Sequence, residues 1–254
     1  MNYIKAALEY IRANPGDFKH ALGTHLELSL LAVLIGIALC FPLGILASRS
    51  SIASLYSLNA IGVARSIPSV AILFLAYPIL GAGFKPALLA LAVLACPPIL
   101  INTNVGFREV EPAIRKAAYG MGMNTWQVLS RIELPLAFPL IVAGVRTASV
   151  DVIASASLAT FIGAGGLGDF IARGLLSNEP ATLLAGALPI ALLTLCAEVL
   201  LGGLERFTRQ PVTKEAQEAH GGRKQREETF GTPASGAKAR RPATDNQVKK
   251  RMKR

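Results

Sequence analysis

Residues 111–135 read EPAIRKAAYGMGMNTWQVLSRIELP. Pro112 suits the first turn of a helix, where its missing N–H is not needed, and Glu111 stands favourably at that helix's positive end. Gly120 and Gly122 can take the left-handed conformation that ends a helix. Asn124, followed three residues later by Gln127, has the form of a capping box. A second short helix is therefore expected to start there and to present Trp126, Leu129 and Ile132 along one face. The stretch predicts two short helices about a glycine corner. It is too apolar and too regularly spaced for a mere connection, and an exposed Trp126 beside Met121 and Met123 is a liability unless a partner covers it. The competing reading is an interfacial helix lying flat on a bilayer.

Outward from this stretch, the 254-residue chain is 52% hydrophobic and only 17% charged. That is too apolar for a soluble domain, in which about a quarter of residues carry charge. A membrane-spanning helix needs roughly 20 apolar residues, each adding about 1.5 Å against a hydrocarbon core of about 30 Å. Five segments meet that demand: 28–47, 66–84, 86–107, 136–162 and 181–204. The first three hold no charge, the fourth carries Arg146 and Asp151, and the fifth carries Glu198. Pro42, Pro78, Pro97, Pro98 and Pro189 predict kinked helices. Small residues such as Gly36, Gly44, Gly144 and Ala148 suit helices that approach closely where lipid provides no hydrophobic drive.

Lys and Arg mark the cytoplasmic side of a membrane protein. Arg49 and Arg65, then Arg108, Arg115, Lys116 and Arg131, then the basic tail all fall on one side of a five-span chain. The C-terminus is thus expected in the cytoplasm, and residues 81–85 and 163–180 outside. The expected fold is an all-α membrane protein of about five transmembrane helices. It divides into an extracytoplasmic segment 1–21, a transmembrane domain 22–209 with its central loop at 108–135, and a tail 210–254. Lys5, Glu9, Arg12, Asp17 and Lys19 leave no apolar core for a cleavable signal peptide. Of the net charge of +10, residues 205–254 hold +8, from 14 Lys or Arg against 6 Asp or Glu. So polar a tail cannot bury enough surface to order itself and is expected to be disordered. Topology and attraction to anionic membrane lipid explain its charge without a nucleic-acid partner.

The central stretch resembles the cytoplasmic loop of ABC importer permeases: Glu-Ala-Ala, three residues, Gly, nine residues, Ile, one residue, Leu-Pro. Ala117, Ala118, Gly122, Ile132, Leu134 and Pro135 match at every spacing, while Lys116 stands where the family usually has Glu. The resemblance covers about 23–209. It implies the type I ABC importer permease fold, with this loop, Trp126 included, acting as a coupling helix docked on an ABC ATPase subunit. It further implies an ATPase dimer, a second permease copy or paralogue, and an extracytoplasmic solute-binding protein, in a bacterial cytoplasmic (inner) membrane. The glycine-rich string 163–168, with 65–69 and 168–171, looks like the osmoprotectant branch, which moves glycine betaine, choline or carnitine. Methionine permeases share a similar segment and keep that solute as an alternative.

Gly163, Gly165 and Gly168 match a dinucleotide fingerprint by letter, but they follow a membrane helix and lack an acidic residue about 20 positions later. No Walker A pattern, nucleophile elbow or zinc-helix motif occurs. The chain therefore reads as a non-catalytic transport subunit that binds no cofactor, with ATP used by the partner ATPase. Cys40, Cys96 and Cys196, like His20, His25 and His220, are too scattered for a metal site. An ionisable residue inside a membrane is a functional candidate by default. Asp151, with Gly165 and Gly166, is the candidate for the translocation path. Its competing role is pairing with Arg146, although five residues is poor helical spacing. Glu198 can snorkel to the interface. A proton-coupled carrier using Asp151 and Glu198 is the alternative function, weakened by the lack of an internal repeat. Truncation after Arg209 is expected to leave uptake largely intact, measured as transport per membrane-inserted permease.

Overall fold

The computed structural model describes residues 3–64 and 67–208. Expectations for Arg65, Ser66 and the tail 210–254 lie outside the described residues. The regular elements described are helical: α1 (Tyr3–Ala13), α2 (Pro15–Ser48), α3 (Ser51–Ala64), α4 (Ser69–Leu80), α5 (Phe84–Glu109), α6 (Pro112–Gly120), α7 (Thr125–Val128), α8 (Leu134–Ala156), α9 (Gly168–Leu176) and α10 (Pro180–Thr208). A π-helical turn, Leu129–Glu133, joins α7 to α8, and a 3₁₀ turn, Ser157–Ile162, ends α8.

Close approach at glycines fixes how the long helices run. A Cβ at Gly36 would stand 2.8 Å from Ala95 Cβ, and one at Gly44 would stand 2.7 Å from Thr103 Cβ. Both numbers rise together along the two helices, so α2 and α5 are parallel. Parallel neighbours need a return passage between them, and the chain from Arg49 to Gly83 has to make it. Contacts of Gly106 with Ala137, and of Gly144 with Asn102 and Pro98, set α8 antiparallel to α5. Arg146 of α8 reaches Glu198 and Glu205 of α10, which packs beside it.

Four helical stretches among the described residues are long and apolar enough to cross a bilayer: Pro15–Ser48, Phe84–Glu109, Thr125–Ile162 and Pro180–Thr208. The span expected at 66–84 is shorter than its sequence suggested. Its helix, α4, has 12 residues and rises only about 18 Å. Pro68 stands at its N-cap, and Gly81, with φ of 76°, turns the chain out of it. Buried Leu73 still seats α4 in the main core, with Leu28 and Ala32 of α2, Leu91 and Ile99 of α5, and Ala148 and Val152 of α8. At its other terminus α2 begins at Pro15, so the boundary expected between residues 21 and 22 falls within one helix.

The bundle thus has two dissimilar ends. The basic end gathers Arg49, Arg108, α6, Arg131 and Arg206. The glycine end gathers α1, residues 163–167 and α9. There Phe170 is buried with Ala21, Leu167 and Ile190, its ring edge-on to Tyr10 at 6.1 Å.

Since lipid cannot drive helices together hydrophobically, the bundle depends on these near-backbone contacts. Gly144→Val would push a side chain into Asn102 Cβ at 2.7 Å and the Pro98 carbonyl at 2.8 Å, at a cost of about 1–3 kcal/mol or more. Thermal unfolding in detergent is expected to show a clear loss for Gly144→Val. It should show none for Gly23→Ala, where nothing lies within 4 Å.

Candidate functional site

At the basic end, α6 and α7 meet at the expected corner. Glu111 is the N-cap of α6 and Pro112 opens it. Gly122, not Gly120, carries the left-handed conformation, at φ of 85°. Its N–H bonds the Tyr119 carbonyl at 3.0 Å and that of Met123 bonds the Ala118 carbonyl at 3.2 Å. These are the two bonds of a Schellman motif, which needs a residue free to take positive φ at this position. The capping box is also present: Gln127 N–H donates to Asn124 Oδ1 at 2.8 Å, and Asn124 N–H donates to Gln127 Oε1 at 2.9 Å.

The second helix differs from expectation. α7 is one turn long and continues through the π turn into α8, so the separate loop ends near Asn124. Pro135 supplies the reason: it has no N–H for the carbonyl four residues back and its ring crowds that carbonyl, which favours a widened turn. The widening rotates the chain, and Trp126, Leu129 and Ile132 do not share one exposed face. Trp126 is 72% exposed and Met121 74%, whereas Leu129 and Ile132 are half-buried. The motif positions split accordingly. Ala117 and Gly122 lie on the surface with Trp126, while Ala118 is buried. Leu134 packs toward Phe107, Ala137 and Ile141, and Pro135 sits exposed in the first turn of α8.

Behind the corner is a group that the motif did not single out. Glu133, only 1% exposed, accepts two hydrogen bonds from the Arg49 guanidinium, Nη1 to Oε1 at 3.0 Å and Nη2 to Oε2 at 2.6 Å. Arg115 Nε of α6 stands 2.8 Å from the same Oε1, and its Nη2 donates to the Phe107 carbonyl of α5. The Nε contact lacks hydrogen-bond alignment and is an ion pair only. Those bonds to Glu133 raise the Arg49 guanidinium above its ordinary range, so it stays charged. Nothing in the sequence marks Glu133, because its partners lie 84 and 18 positions away.

Charged residues of the polar spans pair across helices. Arg146 contacts Glu205 at 2.9 Å and Glu198 at 3.5 Å across α10, over Gly202. Those carboxylates, carried on the neighbouring helix, compensate its charge. Five helical residues turn about 140° past a full revolution, which carries Asp151 to a different, exposed side of α8. Glu198 makes the longer and more exposed of the two contacts.

At the glycine end, Gly163 closes the 3₁₀ turn at φ of 74° with the same Schellman bonds, to Thr160 at 2.9 Å and from Ala164 to Ala159 at 3.1 Å. Gly165 and Gly166 line a cavity of about 280 Å³ with Asp17, His20, Thr24, Asp169 and Arg173. Gly166 lies against buried His25, whose Nε2 donates to the Ile153 carbonyl at 3.1 Å. Thr160 donates to the Asp169 carboxylate, tying α9 to the end of α8. Asp151 is not among the residues lining this cavity. No group of three or more potential ligands for a metal occurs among the described residues.

Residues 40–210 match the family described as the binding-protein-dependent transport system inner membrane component, and the chain belongs to that family. It is 43% identical over 194 residues to the carnitine transport permease protein OpuCB of Listeria monocytogenes, covering 76% of this chain and 89% of that one. To the glycine betaine/carnitine/choline transport system permease protein OpuCB of Bacillus subtilis it is 36% identical over 199 residues, covering 78% and 92%. In fold it is similar to an inward-facing structure of the MetNI methionine ABC transporter, with TM-score 0.66 and 20% identity, covering 76% of this chain and 97% of that one. The chain is therefore a multi-pass, all-helical transport permease.

A Cβ added at Gly122 would meet nothing within 4 Å, so substitution there tests conformation without steric collision. Gly122→Val is expected to leave membrane insertion intact but to distort the corner, because a β-branched residue resists positive φ by about 1–2 kcal/mol. Uptake should fall while permease abundance on immunoblots of membranes stays unchanged, and Gly122→Asn should retain more activity.

Proposed function

We propose that this chain is the translocating subunit of an ATP-driven importer of osmoprotectants, small quaternary-ammonium or zwitterionic solutes such as carnitine, choline and glycine betaine. The observation that carries the ATP-driven part is the corner itself: Met121 and Trp126 stand exposed on a backbone locked by a Schellman motif and a capping box. Such rigid apolar projections at a bundle end suit insertion into a partner's groove. An ABC ATPase dimer would dock there, hydrolysing the ATP that this chain does not. Lys116 stands exposed beside the corner and would meet the ATPase with a positive charge where the family pattern has a negative one.

In this reading the basic end and the C-terminus face the cytoplasm, following the Lys and Arg bias. The glycine end then receives the solute-binding protein. Asp151, exposed on α8 beside an apolar groove shared with α10, would face a second permease copy or paralogue along the path, with Gly165 and Gly166 at its outer mouth. The Tyr10, Phe18 and Phe170 cluster already holds the chain's own Arg173 guanidinium 4.7 Å from the Phe170 ring. That favours a permease that passes a cation without gripping it, leaving an aromatic cage to the binding protein.

The substrate part rests on relatives at 36% and 43% identity whose names specify carnitine, choline and glycine betaine. Radiolabelled uptake by cells expressing the complete system, with those three solutes and methionine compared directly, is expected to show saturable uptake of at least one ammonium solute. Methionine uptake with no response to the other three would overturn the substrate. Uptake that survives ATP depletion and collapses with an uncoupler would overturn the ATP-driven reading in favour of proton coupling.

A further inference from the structure

Docking at an exposed corner moves solute only if displacement of α6 reaches the spanning helices. The covalent routes leave α2 out: α6 follows α5 through extended Val110 and reaches α7, and beyond it α8, through the glycine corner. The non-covalent route is compact. Arg115 of α6 reaches the Phe107 carbonyl, in the last turn of α5, and Glu133 in the π turn that leads α8. Glu133 in turn holds Arg49, the residue that caps α2, through two hydrogen bonds. One carboxylate thereby joins the coupling element to α2 and α8, and its arginine partner adds α5.

We infer that Glu133 is the positioning residue through which movement of α6 is delivered to the ends of α2, α5 and α8. It touches neither solute nor ATPase: it is buried, whereas the docking surface around Met121 and Trp126 is exposed. Three physical features suit it to this role. Its carboxylate lies between two guanidiniums, which without it would repel one another at close range. A buried charge deprived of its partner is costly, so the three groups move together or not at all. The π turn on which Glu133 rides is a widened helical turn, a geometry that recurs where helices must adjust. A one-residue change at this turn alters the register of α8 relative to α2 while the Arg49 fork, with its two parallel bonds, keeps its orientation. The cluster therefore transmits direction as well as force, which a single-point contact by a lysine would not.

This inference rests on the ATPase-docking reading, and its test separates the two. The complete importer, with permease, ATPase and solute-binding protein, is reconstituted in proteoliposomes, and solute taken up per ATP hydrolysed is measured for Glu133→Gln, Arg115→Gln and Arg115→Lys. Co-purification of the ATPase with each permease is scored in parallel. Both Gln variants are expected to keep the ATPase bound while uptake per ATP falls at least about fivefold, the scale of an ordinary coupling free energy. Arg115→Lys, which preserves the charge, should recover part of the ratio.

Should Glu133→Gln fail to reach the membrane, Arg115→Gln decides, since Arg115 is 29% exposed and its loss leaves the Arg49 to Glu133 pair in place. A wild-type ratio of uptake to hydrolysis in the inserted Gln variants would overturn the inference. So would uptake and hydrolysis falling together in proportion to folded permease, the behaviour of a merely structural ion cluster. Failure of the unsubstituted permease to retain the ATPase would instead overturn the docking reading.

Discussion

The near-contact of backbones between α2, α5 and α8 is the constraint on which this bundle depends. In water, burying apolar side chains would hold such helices together, but in lipid the alternative to a helix neighbour is equally apolar. Dispersion between closely approaching surfaces must serve instead, and it decays within a fraction of an ångström of ideal separation. Gly36 against Ala95, Gly44 against Thr103, Gly106 against Ala137 and Gly144 against Pro98 and Asn102 provide that proximity. Each brings two helices into close approach, and together they fix the parallel and antiparallel sense of α2, α5 and α8. The return passage between Arg49 and Gly83 follows from that sense.

A bundle held in this way presents unlike problems at its two ends. At the basic end three helix termini and the α6 corner converge, and the protein joins them with buried Glu133 between Arg49 and Arg115. Such a cluster adds little net stability, because desolvation offsets most of the attraction. What it contributes is geometry, since only one arrangement leaves every charge compensated. The other end is tied by neutral and single-charge contacts. There α8 tightens to a 3₁₀ turn, Gly163 reverses the chain, and Asp169 and His25 reach back to α8 through Thr160 and the Ile153 carbonyl. Because α8 passes between both arrangements, the two ends are joined by a helix of 23 residues, about 34 Å long.

Much of the corner was legible in the sequence because its determinants are local. Glu111, Pro112, Gly122, Asn124 and Gln127 act on neighbours within four positions, and each takes the role its chemistry predicts. Gly120 and Gly122 are equally eligible by residue type, and the distinction between them depends only on where the helix runs out of hydrogen bonds. The length of the second short helix was not legible. Its continuation into α8 arises at Pro135, where a missing N–H widens a turn that periodicity alone reads as regular. Arg146 illustrates a different limit: the sequence offers Asp151 as a neighbour five positions away, while its partners Glu198 and Glu205 lie more than fifty positions on, across a helix interface.

The sequence by itself determined the membrane class, the helical content, the glycine corner and the family, since apolar run length and fixed local spacing set all of these. It did not determine that α4 would be only 12 residues long or that α2 would begin at Pro15. Nor did it reveal which glycines touch which backbone, or that Glu133 would join Arg49 to Arg115. The helix bounds follow local proline and glycine signals at Pro15, Pro68 and Gly81 that apolar run length does not show, whereas the contacts were decided by tertiary structure. Helix pairing brings together residues separated by tens of positions, and a buried charge acquires its partners only when the helices that carry them have packed.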